Sequence, residues 1–273
     1  MKRLSWFNVT SLTLGFAFLY LPIVILVIYS FNASKLVTVW AGFSTKWYGR
    51  LFQNEAFLDA AWVTIKVGLL SSCLATVLGT MAAYVLVRGG RFRGRVLFSG
   101  MIYAPLVMPE VITGLSLLLL FIGIGLDRGV LTIILAHTTF SMCYVSVVVS
   151  ARLVSFDHSL EEAALDLGCS SLEAFRLVTL PIIAPAVISG WLLAFTLSLD
   201  DLVIASFTAG PSATTLPIKI FSAVRLGVSP EINALSTLMI AVVTIGVISA
   251  SLISKRANLR RYHEEQAAER GQD

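Results

Sequence analysis

Three carboxylates lie inside strongly apolar stretches of this 273-residue sequence: Glu110, Asp200 and Asp201. An ionisable side chain within a membrane span costs about 2.5–3.5 kcal/mol on insertion scales, so such residues are functional candidates by default. Acidic groups without a matching arginine in the spans attract a cation and repel sulfate, phosphate or molybdate. The three residues therefore predict a pathway for a cation.

Each carboxylate also has a purely structural interpretation. Pro105 and Pro109 remove backbone donors close to Glu110, and they predict a kinked or broken helix. Glu110 could simply bond the backbone groups that this break leaves free. One of the two aspartates could lie at the water interface, and because adjacent helical residues point about 100° apart, at most one should face a pathway squarely.

Motifs that hold a nucleotide or a metal ion are missing from the sequence. It contains no Gly-x-x-x-x-Gly-Lys-Ser/Thr, His-Glu-x-x-His or Cys-x-x-Cys pattern. The cysteines and histidines are too far apart in sequence to predict a ligand set: Cys73, Cys143, Cys169, His137, His158 and His263. We expect no catalytic residue, metal or cofactor in this chain. If ATP drives its function, a separate polypeptide must bind the ATP and Mg.

The polar stretch 157–181, which we call the coupling loop, predicts two short helices with a break between them. Gly168 supplies a left-handed stop after the first helix, and Pro181 is expected to end the second. Two capping boxes are predicted to start the helices: Ser159 with Glu162, and Ser170 with Glu173. A self-capped pair of helices of this kind is a rigid unit that could carry a push from a soluble partner.

The composition places these residues in a membrane. Apolar residues make up 57% of the sequence and charged residues 13%, about half the roughly 25% charge that is usual in soluble domains. A spanning helix needs about 20 mostly apolar residues. Six segments qualify: 12–29, 63–87, 97–121, 129–151, 182–208 and 235–254. We predict an all-α polytopic membrane protein with six transmembrane helices and one domain, residues 1–273.

Basic residues predict the orientation of the six spans. With the N-terminus inside, thirteen Lys and Arg residues fall in cytoplasmic segments and six on the other side, so both termini are expected in the cytoplasm. The coupling loop and the polar tail 255–273 then also lie in the cytoplasm. At about 1.5 Å per residue, Glu110 lies about 20 Å and Asp200 about 27 Å along their spans, in the outer half of the membrane.

The outer segment 210–230 is too apolar for a free loop. Ile218, Phe221, Val224 and Arg225 have helical spacing, which predicts a short helix in the membrane interface. This helix could form part of an outer gate, receive a binding protein, or have no role of its own.

The coupling loop resembles the EAA loop of binding-protein-dependent ABC importer permeases, which lies between the fourth and fifth of six spans. The matching residues are Glu162-Ala163-Ala164, then Gly168 after three intervening residues, then Leu180-Pro181 after a further eleven. The family often has Ile two residues before this Leu-Pro pair, where the present sequence has Val178. The resemblance implies the permease fold of type I ABC importers.

The same resemblance implies which residues couple the spans to an ATPase. In that family the first loop helix docks in a groove on the ATPase subunit, and the glycine permits the bend. The coupling residues would be Glu162, Ala163, Ala164, Gly168, Leu180 and Pro181. Small alanines allow close approach, while Glu162 either meets a basic rim on the ATPase or only caps its own helix.

Further segments resemble the second permease of bacterial putrescine/spermidine importers: 30–35, 40–48, 104–114, 198–207 and 213–217. The similarity extends over about 12–254. It implies a multi-pass protein of the bacterial inner membrane that forms a heterodimer with a second, homologous permease. The other implied partners are an ATPase dimer, which binds ATP and Mg, and a periplasmic polyamine-binding protein.

Other functions remain open at this stage. An importer permease for another cation or solute, such as ferric iron, thiamine or an aminophosphonate, would have a similar sequence. A gradient-driven secondary transporter would also have spans and membrane carboxylates, but it would not need the coupling loop, and we see no inverted repeat of the kind that many such transporters carry. A structural or assembly protein would not need acidic residues in broken spans.

Overall fold

The computed structural model describes residues 6–36, 39–227, 229–242, 244, 245 and 248. Nearly all of these residues are helical; one isolated β-bridge, between Asn32 and Phe43, and no strand occur among them. The all-α prediction is confirmed. The helices are α1 (Trp6–Ser30), α2 (Lys46–Gln53), α3 (Glu55–Arg88), α4 (Arg95–Val107), α5 (Glu110–Gly123), α6 (Val130–Ser155), α7 (Ser159–Asp166), α8 (Ser171–Ala174), α9 (Leu180–Asp200), α10 (Val203–Thr208), α11 (Leu216–Leu226) and α12 (Pro230–Val242), with a π-helical turn at Phe175–Thr179.

Four of the described helices are long and apolar enough to cross a membrane: α1, α3, α6 and the stretch Ser171–Asp200. The pair formed by α4 and α5 makes a fifth if it is one broken span. The sixth predicted span, 235–254, begins inside α12, and most of its second half lies outside the described residues. The predicted tail 255–273 lies wholly outside them. Six spans with both ends in the cytoplasm therefore stay a prediction.

The third predicted span is broken where the two prolines predicted a kink. The helix α4 ends at Val107 and α5 begins at Glu110, with a bend of 118° between their axes. Met108 and Pro109 both have extended backbone, with ψ of 136°. This turn is larger than a simple kink and makes the pair either a broken span or a re-entrant loop.

The chain divides into two compact units, 1–55 with 223–273, and 56–222. In the first unit, the Asn32 side chain organises the turn after α1. Its Nδ2 donates to the Val39 carbonyl at 2.7 Å, and its Oδ1 accepts from the Ala41 N–H at 2.9 Å. The buried indole of Trp47 donates to the Asn32 carbonyl at 2.6 Å. The turn after α1 is therefore ordered by side chains of the same unit.

The second unit is organised around α6, which packs against α4, α9 and α10. Its main core joins α3, α6 and α9 through small and branched side chains: Ala75, Ala83, Val145, Val149, Leu153, Ile183 and Ala194. A second core joins α5, α6 and α10 through Phe121, Ala136, Phe140 and Ile204. These contacts hold the elements that carry the candidate residues.

The predicted outer helix is present as α11. The backbone N–H of Leu216, at its start, donates to the Thr64 hydroxyl of α3 at 2.7 Å. This bond attaches the beginning of α11 to the second predicted span. The role of α11 as a gate or receiving surface stays a prediction.

At Gly79, α3 and α6 approach each other closely. A Cβ at this position would lie 2.7 Å from the Met142 carbonyl oxygen and 2.8 Å from Val145 Cβ. Changing Gly79 to Ala should therefore destabilise the protein by about 1–3 kcal/mol, since the backbone of α6 must move. Thermal unfolding of the purified protein in detergent measures this change.

Gly100 offers the matched control, because a Cβ there would meet nothing within 4 Å. Gly100→Ala, at an exposed position of α4, is expected to leave the melting temperature unchanged or slightly raised, as alanine favours helix. Equal melting temperatures for the Gly79 and Gly100 variants would contradict the close packing of α3 on α6.

Candidate coupling loop and intramembrane carboxylates

The break in the coupling loop is a Schellman motif. Gly168 has a φ of 93°, as its predicted left-handed stop requires. The Gly168 N–H donates to the Leu165 carbonyl at 2.9 Å, and the Cys169 N–H donates to the Ala164 carbonyl at 3.1 Å. These two bonds satisfy the end of α7 and fix the direction in which α8 departs.

The second predicted capping box is present at the start of α8. The Ser170 N–H and hydroxyl both donate to Glu173 Oε2 at 2.8 Å, and the Glu173 N–H donates back to the Ser170 hydroxyl at 3.4 Å. The bond from the Ser170 backbone, with that from its side chain, lowers the pKa of the Glu173 carboxyl. A lowered pKa in the folded state means that the cap stabilises the loop above the ordinary carboxyl range and is lost as pH falls through the lowered value.

The first predicted capping box is wrong. Ser159 is the first residue of α7, one position too late to cap it, and the cap position is taken by His158 without a side-chain bond. Asp157 Oδ1 accepts from the Ser159 N–H at 3.0 Å instead. Glu162 Oε1 lies 2.9 Å from Nδ1 of His158, and the Ser159 N–H that it was predicted to bond is taken by Asp157. The helix begins one residue earlier than the spacing indicated.

The prediction that Pro181 ends the second loop helix is also wrong. Pro181 is the second residue of α9, which continues directly from α8 through the π-helical turn. In this turn the Leu180 N–H reaches back to the Phe175 carbonyl. The wider turn relieves the clash that a proline ring meets inside a regular α-helix.

The predicted coupling residues of α7 divide between two faces. Glu162, Ala163 and Gly168 are exposed, whereas Ala164 is buried against the chain itself. Leucines of the same loop are exposed, among them Leu167 at 87%. An apolar, exposed face of this kind is typical of a docking surface. The six residues predicted for coupling keep that role as a prediction.

A buried clamp that the sequence did not reveal holds α7 in place. The carboxylate of Glu161 lies 3.2 Å from Arg88 Nε and accepts from the Thr179 hydroxyl at 2.7 Å. The distance between Arg88 and Glu161 makes them an ion pair, but the Nε–H of Arg88 is not aligned for a hydrogen bond. Arg88 also donates to the Phe156 carbonyl at 3.2 Å. The clamp thus joins the ends of α3 and α6 to α7 and the π-helical turn.

The three intramembrane carboxylates differ in their surroundings. Glu110 begins α5 and is exposed, and Asp200 ends α9 and is exposed. The Asp201 side chain is only 7% exposed. Its Oδ2 accepts from the Ala205 N–H at 2.7 Å, its Oδ1 accepts from the Ile204 N–H at 3.3 Å, and so it caps α10.

The fifth predicted span, 182–208, is therefore not one continuous helix. Asp201 has a ψ of 122°, which is extended backbone, and the helix resumes at Val203 as α10. The reason is that the Asp201 carboxylate bonds the backbone N–H groups of the next helix. Gly114 of α5 packs close to Ile204 of α10, so the broken third and fifth spans meet.

Residues 75–262 match the family described as "Binding-protein-dependent transport system inner membrane component". This range contains the coupling loop and all three carboxylates. The chain belongs to this permease family.

Named relatives extend the match over nearly the whole permease. The chain is 56% identical over 275 residues to the "Putrescine transport system permease protein PotI" of Escherichia coli strain K12, and the match covers 98% of both chains. It is 44% identical to the "Spermidine/putrescine transport system permease protein PotC" of Haemophilus influenzae, covering 89% of this chain and 94% of that one. The predicted resemblance to polyamine permeases is confirmed. These names describe transport components, in agreement with a transport subunit rather than an enzyme.

The fold of the permease is shared with a solved ABC importer. A bacterial ABC transporter for the import of the acidic polysaccharide alginate superposes with a TM-score of 0.70 and 18% identity, over 89% of this chain and 94% of that chain. At this identity the likeness concerns the fold alone.

A cavity of about 310 Å³ lies beside the coupling loop of the permease. Its lining is mostly apolar: Met81, Tyr84, Val85, Ser171, Leu172 and Phe175. A polyvalent cation would lose its hydration there without gaining a carboxylate, so this cavity does not suit a cation.

Proposed function

We propose that this permease is the membrane subunit of an ATP-driven importer for a small polycation, putrescine or spermidine. The 56% identity to a putrescine permease over 98% of both chains carries the proposal. In the proposed complex, a second permease completes the pathway, a separate ATPase dimer binds ATP and Mg, and a periplasmic binding protein delivers the polyamine. The chain itself needs no cofactor. It crosses the inner membrane six times, with both termini in the cytoplasm.

The exposed carboxylates support a cation as the transported molecule. Glu110 and Asp200 both lie at helix ends beside breaks in apolar helices. A carboxylate that faced lipid would be costly, so a pathway or a partner subunit must supply polar surroundings. We assign Glu110 and Asp200 to direct contact with the amine groups, and Asp201 to the negative field behind them.

The exposed face of α7 supports coupling to an ATPase. Glu162 and Ala163 lie on this face, and Gly168 is exposed just after α7. Leu180 and Pro181 lie where the loop passes into α9. Ala164 packs inward and lets α7 approach the bundle closely. In this proposal the ATPase receives the outward face, while the clamp at Glu161 holds the inward face to the spans.

Uptake of labelled putrescine and spermidine tests the proposal. Cells without their own polyamine importers would receive this chain together with its partner subunits. Changing Asp200 and Asp201 to Asn together should reduce uptake by about tenfold or more, since one charge-assisted contact is worth about 1.5–3 kcal/mol. The amount of assembled complex, measured by affinity purification, should be unchanged.

Two further observations separate the parts of this proposal. Asp127→Asn, which removes an exposed carboxylate between α5 and α6, is the control for loss of one negative charge and should retain uptake. Normal uptake by the double aspartate variant would remove the pair from the pathway. If an assembled, ATP-hydrolysing complex admits no polyamine, the substrate assignment is wrong and another small cation must be sought.

A further inference from the structure

A chain of buried polar side chains crosses the helices of the second unit at the break of the fifth predicted span. His137 of α6 lies at its centre and is 1% exposed. Its Nδ1 is 2.6 Å from the Ser198 hydroxyl of α9, and its Nε2 is 3.0 Å from Asp201 Oδ2. Ser198 in turn accepts from the Ser71 hydroxyl of α3 at 3.1 Å. Four helical segments thus contribute to one network.

The partners of His137 determine where a ring proton must lie. Asp201 already accepts from two backbone N–H groups, as an ionised carboxylate does. If Nε2 carried no proton, its lone pair would face a carboxylate oxygen at 3.0 Å. Beside an ionised Asp201, the geometry assigns the ring proton to Nε2, although its N–H is not aligned well enough for a regular hydrogen bond. Nδ1 pairs with the Ser198 hydroxyl.

The order of contacts is that of a Ser-His-Asp triad, but the network cannot act as a hydrolase. Ser198 is 4% exposed, Ser71 is fully buried, and neither can reach a substrate. A hydroxyl without access cannot attack a carbonyl group, whatever its base. The contacts can only fix the positions of the groups that they join.

The network fixes the position of the break between α9 and α10. Asp201 is held on one side by His137 and on the other by the backbone of α10. Its backbone must leave the helix for these contacts to form. The same departure makes Asp200 the last residue of α9 and leaves its carboxylate exposed. The two neighbouring aspartates thus have different roles, one buried and bonded, the other accessible.

We propose that His137 is a positioning residue, which holds Asp201 at the break so that Asp200 is the aspartate that meets the transported cation. The inference rests on the proposed function for its transport consequence. Its structural part, the protonated Nε2 beside Asp201, stands independently of the substrate.

Variants of His137 test the transport consequence in the assembled complex in cells. His137→Ala should lower polyamine uptake about tenfold, the effect expected when a charged group loses one hydrogen-bonding partner. His137→Gln should restore most uptake, because an amide offers one donor and one acceptor as the imidazole does. The double variant His137→Ala with Asp200→Asn should lose little more uptake than the more severe of the two single variants, since both changes act through Asp200.

Thr139→Val is the matched control on the same helix. Thr139 is half-buried, outside the polar network, and its hydroxyl donates to the Leu135 carbonyl of its own helix at 2.8 Å. This variant should keep wild-type uptake. Normal uptake by His137→Ala, equal losses for His137→Ala and His137→Gln, or additive losses with Asp200→Asn would each overturn the proposal.

The ring nitrogens of His137 give a readout that needs no transport. In ¹⁵N-histidine-labelled complex with His158→Gln and His263→Gln, the nitrogen chemical shifts should show a protonated Nε2. Asp201→Asn should shift that signal. A ring protonated only at Nδ1 would overturn the inference even if polyamines enter. If no polyamine enters but Nε2 is protonated and responds to Asp201→Asn, the proposed function fails and the positioning of Asp201 stands.

Discussion

Replacing Glu161 by methionine is expected to destabilise the coupling loop by about 3–5 kcal/mol and to abolish ATP-driven uptake. The change leaves the Arg88 guanidinium, 12% exposed, without its anionic partner, and removing one member of a buried ion pair costs about this much. Thr179 also loses its acceptor. Backbone hydrogen exchange of residues 159–166 in the assembled complex should rise, while uptake of labelled putrescine falls to background.

Two variants control this prediction. Glu162 neighbours Glu161 but its side chain is 63% exposed, so Glu162→Met should leave the hydrogen exchange of α7 unchanged even if it disturbs docking. Changing Arg88 and Glu161 to Met together removes the unpaired charge, and should recover most of the lost stability. Slow exchange in Glu161→Met alone would show that the clamp does not hold α7.

Changing Gly168 to Val is expected to uncouple ATP hydrolysis from uptake. With a φ of 93°, Gly168 has a backbone conformation that costs an ordinary residue about 1–2 kcal/mol and is worse for a β-branched one. Valine should therefore open the Schellman motif and turn α8 away from α7. Uptake and ATP hydrolysis measured on the same reconstituted complex should show hydrolysis without import.

Gly168→Asn separates backbone strain from side-chain size. Asparagine is close to valine in volume, but it tolerates the left-handed region. A Cβ at Gly168 meets nothing within 4 Å in the described part of the chain, so Asn should keep most of the coupling. Loss in both variants would place the ATPase directly against Gly168. Full coupling in both would contradict the docking assignment.

The features predicted correctly from the sequence are those with a local cause. Gly168 needs a left-handed backbone, and the spacing of Ser170 and Glu173 describes a complete cap within four residues. Pro109 lacks the N–H that a helix requires, and α4 ends two residues before it, whereas Pro105 lies inside α4. Long apolar stretches likewise predict helices without knowledge of their neighbours.

The features that were missed depend on residues distant in sequence. Glu161 precedes the recognised motif by one residue, and its importance comes from Arg88, which is 73 positions away. The only available signal was a basic residue at the end of an apolar span. The break at Asp201 likewise depends on His137 of another helix. The capping box at Ser159 failed because Asp157, two residues earlier, competes for the same backbone N–H.

The π-helical turn at Phe175–Thr179 has a mechanical consequence. Because it joins α8 to α9 without a loop, residues Ser171–Asp200 form one helical rod of 30 residues, about 45 Å long at about 1.5 Å per residue. The bend after Gly168 lies near one end of this rod, and the exposed carboxylate of Asp200 lies at the other. A tilt or rotation imposed at Ser171 therefore acts on the same continuous helical segment that ends at Asp200, with no loop between them.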